Sequence, residues 1–99
     1  MSRTLPPSID DPDPLARSMA ELGALVRNQR ARSLLRIDDA ADLIGVSKEV
    51  LSRLENGRSV GLDKVFKVLD GLGLSLVVVT RLETETAVRA VRTDAQESA

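Results

Sequence analysis

Residues 37–57, IDDAADLIGVSKEVLSRLENG, constrain the fold of this chain more than any other stretch. Ala40, Ala41 and Ile44 give a short helix a small apolar face. Gly45 and Val46 then break the pattern, and Ser47 is a good N-cap for a second helix. Val50, Leu51 and Leu54 recur at helical spacing behind that cap, and Gly57 is a natural stop. The stretch therefore predicts helix, tight turn, helix. The second helix is lean on its outward face, which carries Lys48, Glu49, Ser52 and Arg53.

A short helix, a glycine turn and a capped second helix together have the form of a helix-turn-helix. When the second helix of such a unit lies in a major groove, its outward side chains reach base edges. The stretch IGVSKEVLSRLENGR resembles the recognition half of the λ-repressor-like, Xre/Cro-type helix-turn-helix family. The later LDKVFKVLDGLGLSLVVV resembles HipB-type antitoxins, in which one more helix and a β-strand come after the DNA-binding helices. The resemblance covers roughly residues 15–80. It implies an all-α, λ-repressor-like bundle of about four helices with one C-terminal β-strand, expected to pair across a homodimer.

Composition fits a small regulator and excludes other classes. Ninety-nine residues allow one small domain. Phe66 is the only aromatic residue, so the core must be Leu, Val, Ala and Ile. There is no Cys, hence no disulfide and no thiolate metal site, and no His, the commonest metal ligand and general base. No metal or other cofactor is expected. No P-loop or nucleophile–base arrangement is visible, and Ser47 reads better as a cap than as a nucleophile, so an enzyme is not expected. The amino end lacks the apolar core of a signal peptide and no apolar run approaches membrane-spanning length, so the chain reads as cytoplasmic, with no membrane partner.

The net charge of −1 argues against a broadly basic nucleic-acid coat. The acids gather at the two ends: Asp10, Asp11 and Asp13 before the core, and Glu83, Glu85, Asp94 and Glu97 after it. Between residues 14 and 80, ten Lys/Arg stand against eight Asp/Glu. A DNA footprint would have to be a local patch, better used twice in a dimer.

Three parts are expected along the chain. Residues 1–12, with Pro6, Pro7 and Pro12 among polar residues, read as a flexible tail. Residues 13–80 make the DNA-binding domain with its dimerisation strand, and residues 81–99 a polar tail. The first helix is expected to begin with Asp13 as cap and Pro14 at its first position, with Leu15, Met19, Leu22 and Val26 as its core stripe. It should end near Arg32 or Ser33. Related proteins place Gly where this chain has Leu34, so a left-handed cap is not expected. Helices are further expected over about 37–44, 48–56 and 62–72, the last with Leu62, Val65, Phe66, Leu69 and Leu72 on one face.

Residues 74–80, LSLVVVT, alone read as a strand. A lone strand has two unpaired edges, so Leu74, Leu76, Val77, Val78 and Val79 are expected to pair with the same strand of a second copy. In the tail, residues 86–91 could form a short, marginal helix, and the resemblance makes that tail a candidate toxin contact.

The polar residues around the second helix have definite expected roles. Lys48 and Arg53 suit guanine O6/N7, Glu49 suits cytosine N4, and Ser52 permits close approach. Arg36, Ser47, Arg58 and Ser59 are candidate phosphate contacts, which position without reading sequence. From family position, Arg30 is expected to pair with Glu55 and lock the first helix to the third. One departure weakens the phosphate reading. Related proteins begin the second helix with Ser/Thr-Gln, whereas this chain has Arg36-Ile37 and then Asp38 and Asp39. The resemblance implies a sequence-specific repressor of double-stranded operator DNA that autoregulates its operon and restrains a HipA-like serine/threonine kinase toxin. The alternatives are a stand-alone Xre-family regulator, and a protein-binding adaptor that keeps the helix-turn-helix only as scaffold.

Overall fold

A computed structural model describes Leu5 and residues 7–98, with side-chain surroundings as far as Thr93. Five helices succeed one another: α1 (Met19–Arg32), α2 (Ile37–Ile44), α3 (Lys48–Glu55), α4 (Leu62–Gly71) and α5 (Arg81–Ser98). The first four enclose one core of Val26, Ala40, Ala41, Ile44, Leu51, Leu54, Val65, Val68, Leu69 and Leu72. Met19, Leu22, Leu35, Ile37, Val46, Val60 and Leu74 pack against its rim. Aliphatic side chains fill this core without any aromatic residue.

α1 begins five residues later than the Asp13-Pro14 pair suggests. Ser18 is its cap: the Ser18 hydroxyl accepts from the Glu21 N–H at 3.1 Å, and the Glu21 carboxylate accepts from the Arg17 N–H at 2.6 Å. This Ser-x-x-Glu arrangement satisfies donors at the helix start that Asp13 cannot reach, since Asp13 turns onto the Leu15 N–H at 3.0 Å. Leu15 thus precedes the helix rather than joining its stripe.

The expected flexible tail lies partly outside the described residues, at 1–4 and 6. Within the described part, Ile9 is tied to α1 by two hydrogen bonds. Its N–H donates to Asn28 Oδ1 at 2.8 Å and its carbonyl accepts from Asn28 Nδ2 at 3.0 Å.

α1 ends at Arg32 in a left-handed cap, contrary to expectation, and Leu34 supplies it at φ 60°. The Leu34 N–H donates to Ala31 O and the Leu35 N–H to Arg30 O, which is the Schellman pattern. α3 and α4 end in the same pattern with glycine at the left-handed position, Gly57 at φ 76° and Gly73 at φ 74°. Leu34 bears a Cβ penalty there and is 78% exposed, so its side chain returns little. Leu34→Gly is therefore expected to raise stability by about 1 kcal/mol, read as a higher midpoint in chemical denaturation. A lower midpoint would show that the leucine side chain contributes more than its exposure suggests.

α4 is rotated from the face expected of it. Val65, Val68, Leu69 and Leu72 are buried, while Leu62 is 63% and Phe66 48% exposed. The spacing fits either stripe, and the core takes the one that includes Val68, which is fully buried.

Residues 74–80 form no helix and no strand ladder within the chain. The expected strand is thus not formed in the single chain, which offers no second β-prone segment to pair with. Leu74 packs on the core rim, but Leu76, Val77 and Val78 are 51%, 73% and 87% exposed.

α5 is far longer than the short helix expected over 86–91. Its start is fixed at Thr80, whose N–H and hydroxyl both donate to Glu83 Oε1, at 3.0 and 2.8 Å. Those two donors hold the Glu83 carboxyl below the usual carboxylate range. Glu85 and Arg89 add an i,i+4 pair at 2.9 Å in the favourable order. No residue of α5 as far as Thr93 is buried, and Leu82 is 95% exposed.

Candidate nucleic-acid interface

The turn between α2 and α3 is built on Gly45 at φ 89°, a left-handed conformation that costs glycine nothing. Its N–H and that of Val46 both donate to Ala41 O, at 2.8 and 3.1 Å, closing α2. Ser47 then caps α3, its hydroxyl oxygen accepting from the Val50 N–H at 3.1 Å. Leu51 and Leu54 turn inward and are fully buried, which turns the opposite side of α3 outward. Lys48, Glu49 and Arg53 are exposed and Ser52 is half-buried.

The inner side of α3 is held by charge. Arg30 and Glu55 meet as a two-pronged pair: Nε to Oε2 at 2.6 Å and Nη2 to Oε1 at 2.8 Å. Both residues are buried, at 6% and 5% exposure. Arg30 Nη1 also donates to Leu35 O at 3.0 Å, and the half-buried Arg27 adds a 3.4 Å contact to Glu55 Oε1. Among the described residues no buried side-chain nitrogen or oxygen lacks a partner. The pair joins α1 to the end of α3, so it orients the outward face without belonging to it. Gly23 completes that junction, since α1 crosses α3 so closely that a Cβ there would run into Leu54 O and lie 2.8 Å from Glu55 O.

Each remaining candidate has a definite place. Arg36 is the N-cap position of α2, exposed and making no side-chain cap bond. Ile37 is half-buried against the core, which accounts for an apolar residue where related proteins carry a polar one. Asp38 Oδ1 accepts from the Asp39 N–H at 3.1 Å, so carboxylates occupy the start of α2. Arg58 and Ser59 are exposed in the α3–α4 loop. Among the described residues none forms an ion pair with Lys48, Glu49 or Arg58.

Two features of this face are not evident in the sequence. Arg53 bends back, donating from Nε at 3.3 Å and from Nη2 at 3.0 Å to Ser59 O. Asn56 donates to Ser52 O at 2.8 Å and accepts from Arg27 Nη2 at 3.2 Å. Asn just before the Gly57 stop is the one available hint. No group of three or more potential ligands able to hold a metal ion occurs among the described residues, and no helix there is long and apolar enough to cross a membrane.

The helix-turn-helix domain family matches residues 21–82, well over half the chain. A solved structure, that of a HipB serine-to-alanine variant in complex with an O2 20mer, is similar in fold, with a TM-score of 0.62 and 24% sequence identity over 68% of this chain and 94% of that one. No curated protein matches. The glycine turn, the capped and outward-facing α3 and the family match lead to one conclusion: the chain belongs to the helix-turn-helix domain family of DNA-binding regulators, in a HipB-like fold.

Proposed function

We propose that this protein is a sequence-specific transcriptional repressor that binds double-stranded operator DNA as a homodimer. The observation that carries the reading is α3, a capped helix whose inner face is fixed by a buried ion pair and whose outer face is exposed and charged. In a major groove, Lys48 donates to guanine O6/N7, Glu49 accepts from cytosine N4, and Ser52 lets the helix approach closely. Arg53 lies at the end of the same face. Arg36, the Ser47 hydroxyl, Arg58 and Ser59 flank the helix as phosphate contacts.

Residues 74–80 supply the second half of the proposal. Leu76, Val77 and Val78 leave an apolar segment exposed, and a β-prone segment with unpaired backbone groups is a template for pairing with another chain. A two-fold partner segment covers it, and the dimer sets two α3 helices at a fixed spacing. We further propose that the protein is the cytoplasmic antitoxin of a HipA/HipB-like pair, autoregulating its operon and restraining a HipA-like serine/threonine kinase toxin. The likeness of fold to HipB and a fifth helix with no buried residue as far as Thr93 support that reading.

Val78→Asp tests the dimer and its link to DNA together. Val78 is 87% exposed in the single chain, so the substitution leaves the monomer core intact. Sedimentation should show a monomer at concentrations where the parent protein is dimeric, with operator affinity falling alongside. A variant that stays dimeric contradicts the paired-strand reading.

A second reading is favoured by one observation. With Ile37 packed inward and carboxylates at the start of α2, the usual polar grip on phosphate is missing, as suits a protein-binding adaptor. Such a protein would bind any duplex weakly and without preference.

A further inference from the structure

The loop joining α3 to α4 is tied down at both ends by side chains of the last turn of α3. At its start, Asn56 bonds the Ser52 carbonyl and is itself held by Arg27 from α1. Gly57 then turns left-handed, where a Cβ would lie 2.8 Å from the Ala20 backbone, so the loop rests on α1. At its far end, two N–H groups of Arg53 converge on the Ser59 carbonyl. Arg58 stands between these anchors, its N–H closing onto Arg53 O at 2.9 Å and its side chain exposed. A backbone carbonyl in an exposed loop does not need a guanidinium, because water serves it as well. Two donors spent there fix the loop and leave Arg53 fewer for a base.

We propose that Arg53 is a positioning residue. It clamps the α3–α4 loop so that Arg58 meets a DNA phosphate, and it reads no base itself. This rests on the DNA-binding reading above and reassigns one side chain within it. A guanidinium that meets guanine edges loosens specificity at one base pair when lost, whereas loss of a clamp behind a phosphate contact weakens all duplexes alike.

The test uses the full chain and the duplex that it enriches from a random library, beside a scrambled duplex of equal length, across a salt series. Arg53→Ala should weaken both duplexes by a similar factor, on the order of tenfold, and reduce the salt slope by about one. The ratio between the duplexes should hold. Arg58→Ala should do the same, and the double variant should lose little more than either single one, because both remove one contact. Hydrogen exchange without DNA supplies a second readout: Arg53→Ala should speed exchange of the Gly57 and Arg58 amides, which bond Leu54 O and Arg53 O, and spare the α2 core. A collapse of the duplex ratio on Arg53→Ala would make Arg53 a base reader and overturn the proposal. Additive losses in the double variant, or unchanged loop exchange, would also overturn it. A parent protein that enriches no duplex would defeat the DNA-binding reading itself, and the clamp's role in DNA binding with it.

Discussion

Glu55→Ala is expected to destabilise the protein by about 3–5 kcal/mol, because it leaves the Arg30 guanidinium buried without its counter-charge. Glu55 binds Arg30 through both oxygens at 2.6 and 2.8 Å, and only one further bond, from Nη1 to Leu35 O, would remain to Arg30. A small domain has about 5–15 kcal/mol in total, so the loss removes a large share of it. Chemical denaturation followed by circular dichroism measures it directly. The same reasoning predicts rescue. A double variant with Arg30→Met and Glu55→Leu removes both charges, fills similar volume, and should recover most of the loss. A loss below about 1 kcal/mol for Glu55→Ala would mean that the pair is solvated as surface pairs are.

Gly23→Ala gives the second large effect, and its sign is the informative part. Inside an ordinary helix, alanine for glycine stabilises by about 1 kcal/mol. Here the new methyl group would collide with the Leu54 carbonyl oxygen, and Glu55 O lies 2.8 Å away. Backbone atoms cannot swing aside as a side-chain end can. The crossing of α1 over α3 must open, and a loss of about 3 kcal/mol or more is expected. Operator affinity should fall further than stability requires, because α3 shifts with the crossing. A thermal melt of Gly23→Ala at or above that of the parent protein would contradict this packing.

The two substitutions act on one junction, and only part of it is legible in residue order. Gly23 can be read as a point of close helix approach, but nothing local says which helix approaches. The α2–α3 unit is legible because its signals are local: Gly45 for the turn, Ser47 for the cap, Gly57 for the stop. The start of α1 is obscured by two competing caps, and Ser18 prevails because Glu21 can close the reciprocal bond. α4 admits two apolar stripes of nearly equal merit, and only packing against the rest of the core decides between them. Leu34 shows that a left-handed cap can be imposed on a residue that disfavours it once the flanking helices fix the chain path. The length of α5 is hidden because residues 86–91 say little without the Thr80–Glu83 cap that starts the helix. The outward position of Arg53 is legible, but not its turn toward Ser59, since a long side chain on a surface helix chooses its partner from the loop opposite.

The same limit applies to residues 74–80. A run of valines announces a strand, but a strand exists only with a neighbour, and none pairs with residues 74–80 among the described residues.

The most direct test of sequence reading is fluorescence anisotropy with labelled duplex from the protein's own upstream region, beside scrambled duplex of equal length, across a salt series. A repressor that reads bases through α3 predicts a specific complex at physiological salt, about 10³-fold or more tighter than the scrambled one. Equal, weak and steeply salt-dependent binding to both would mean phosphate contact alone and would contradict it.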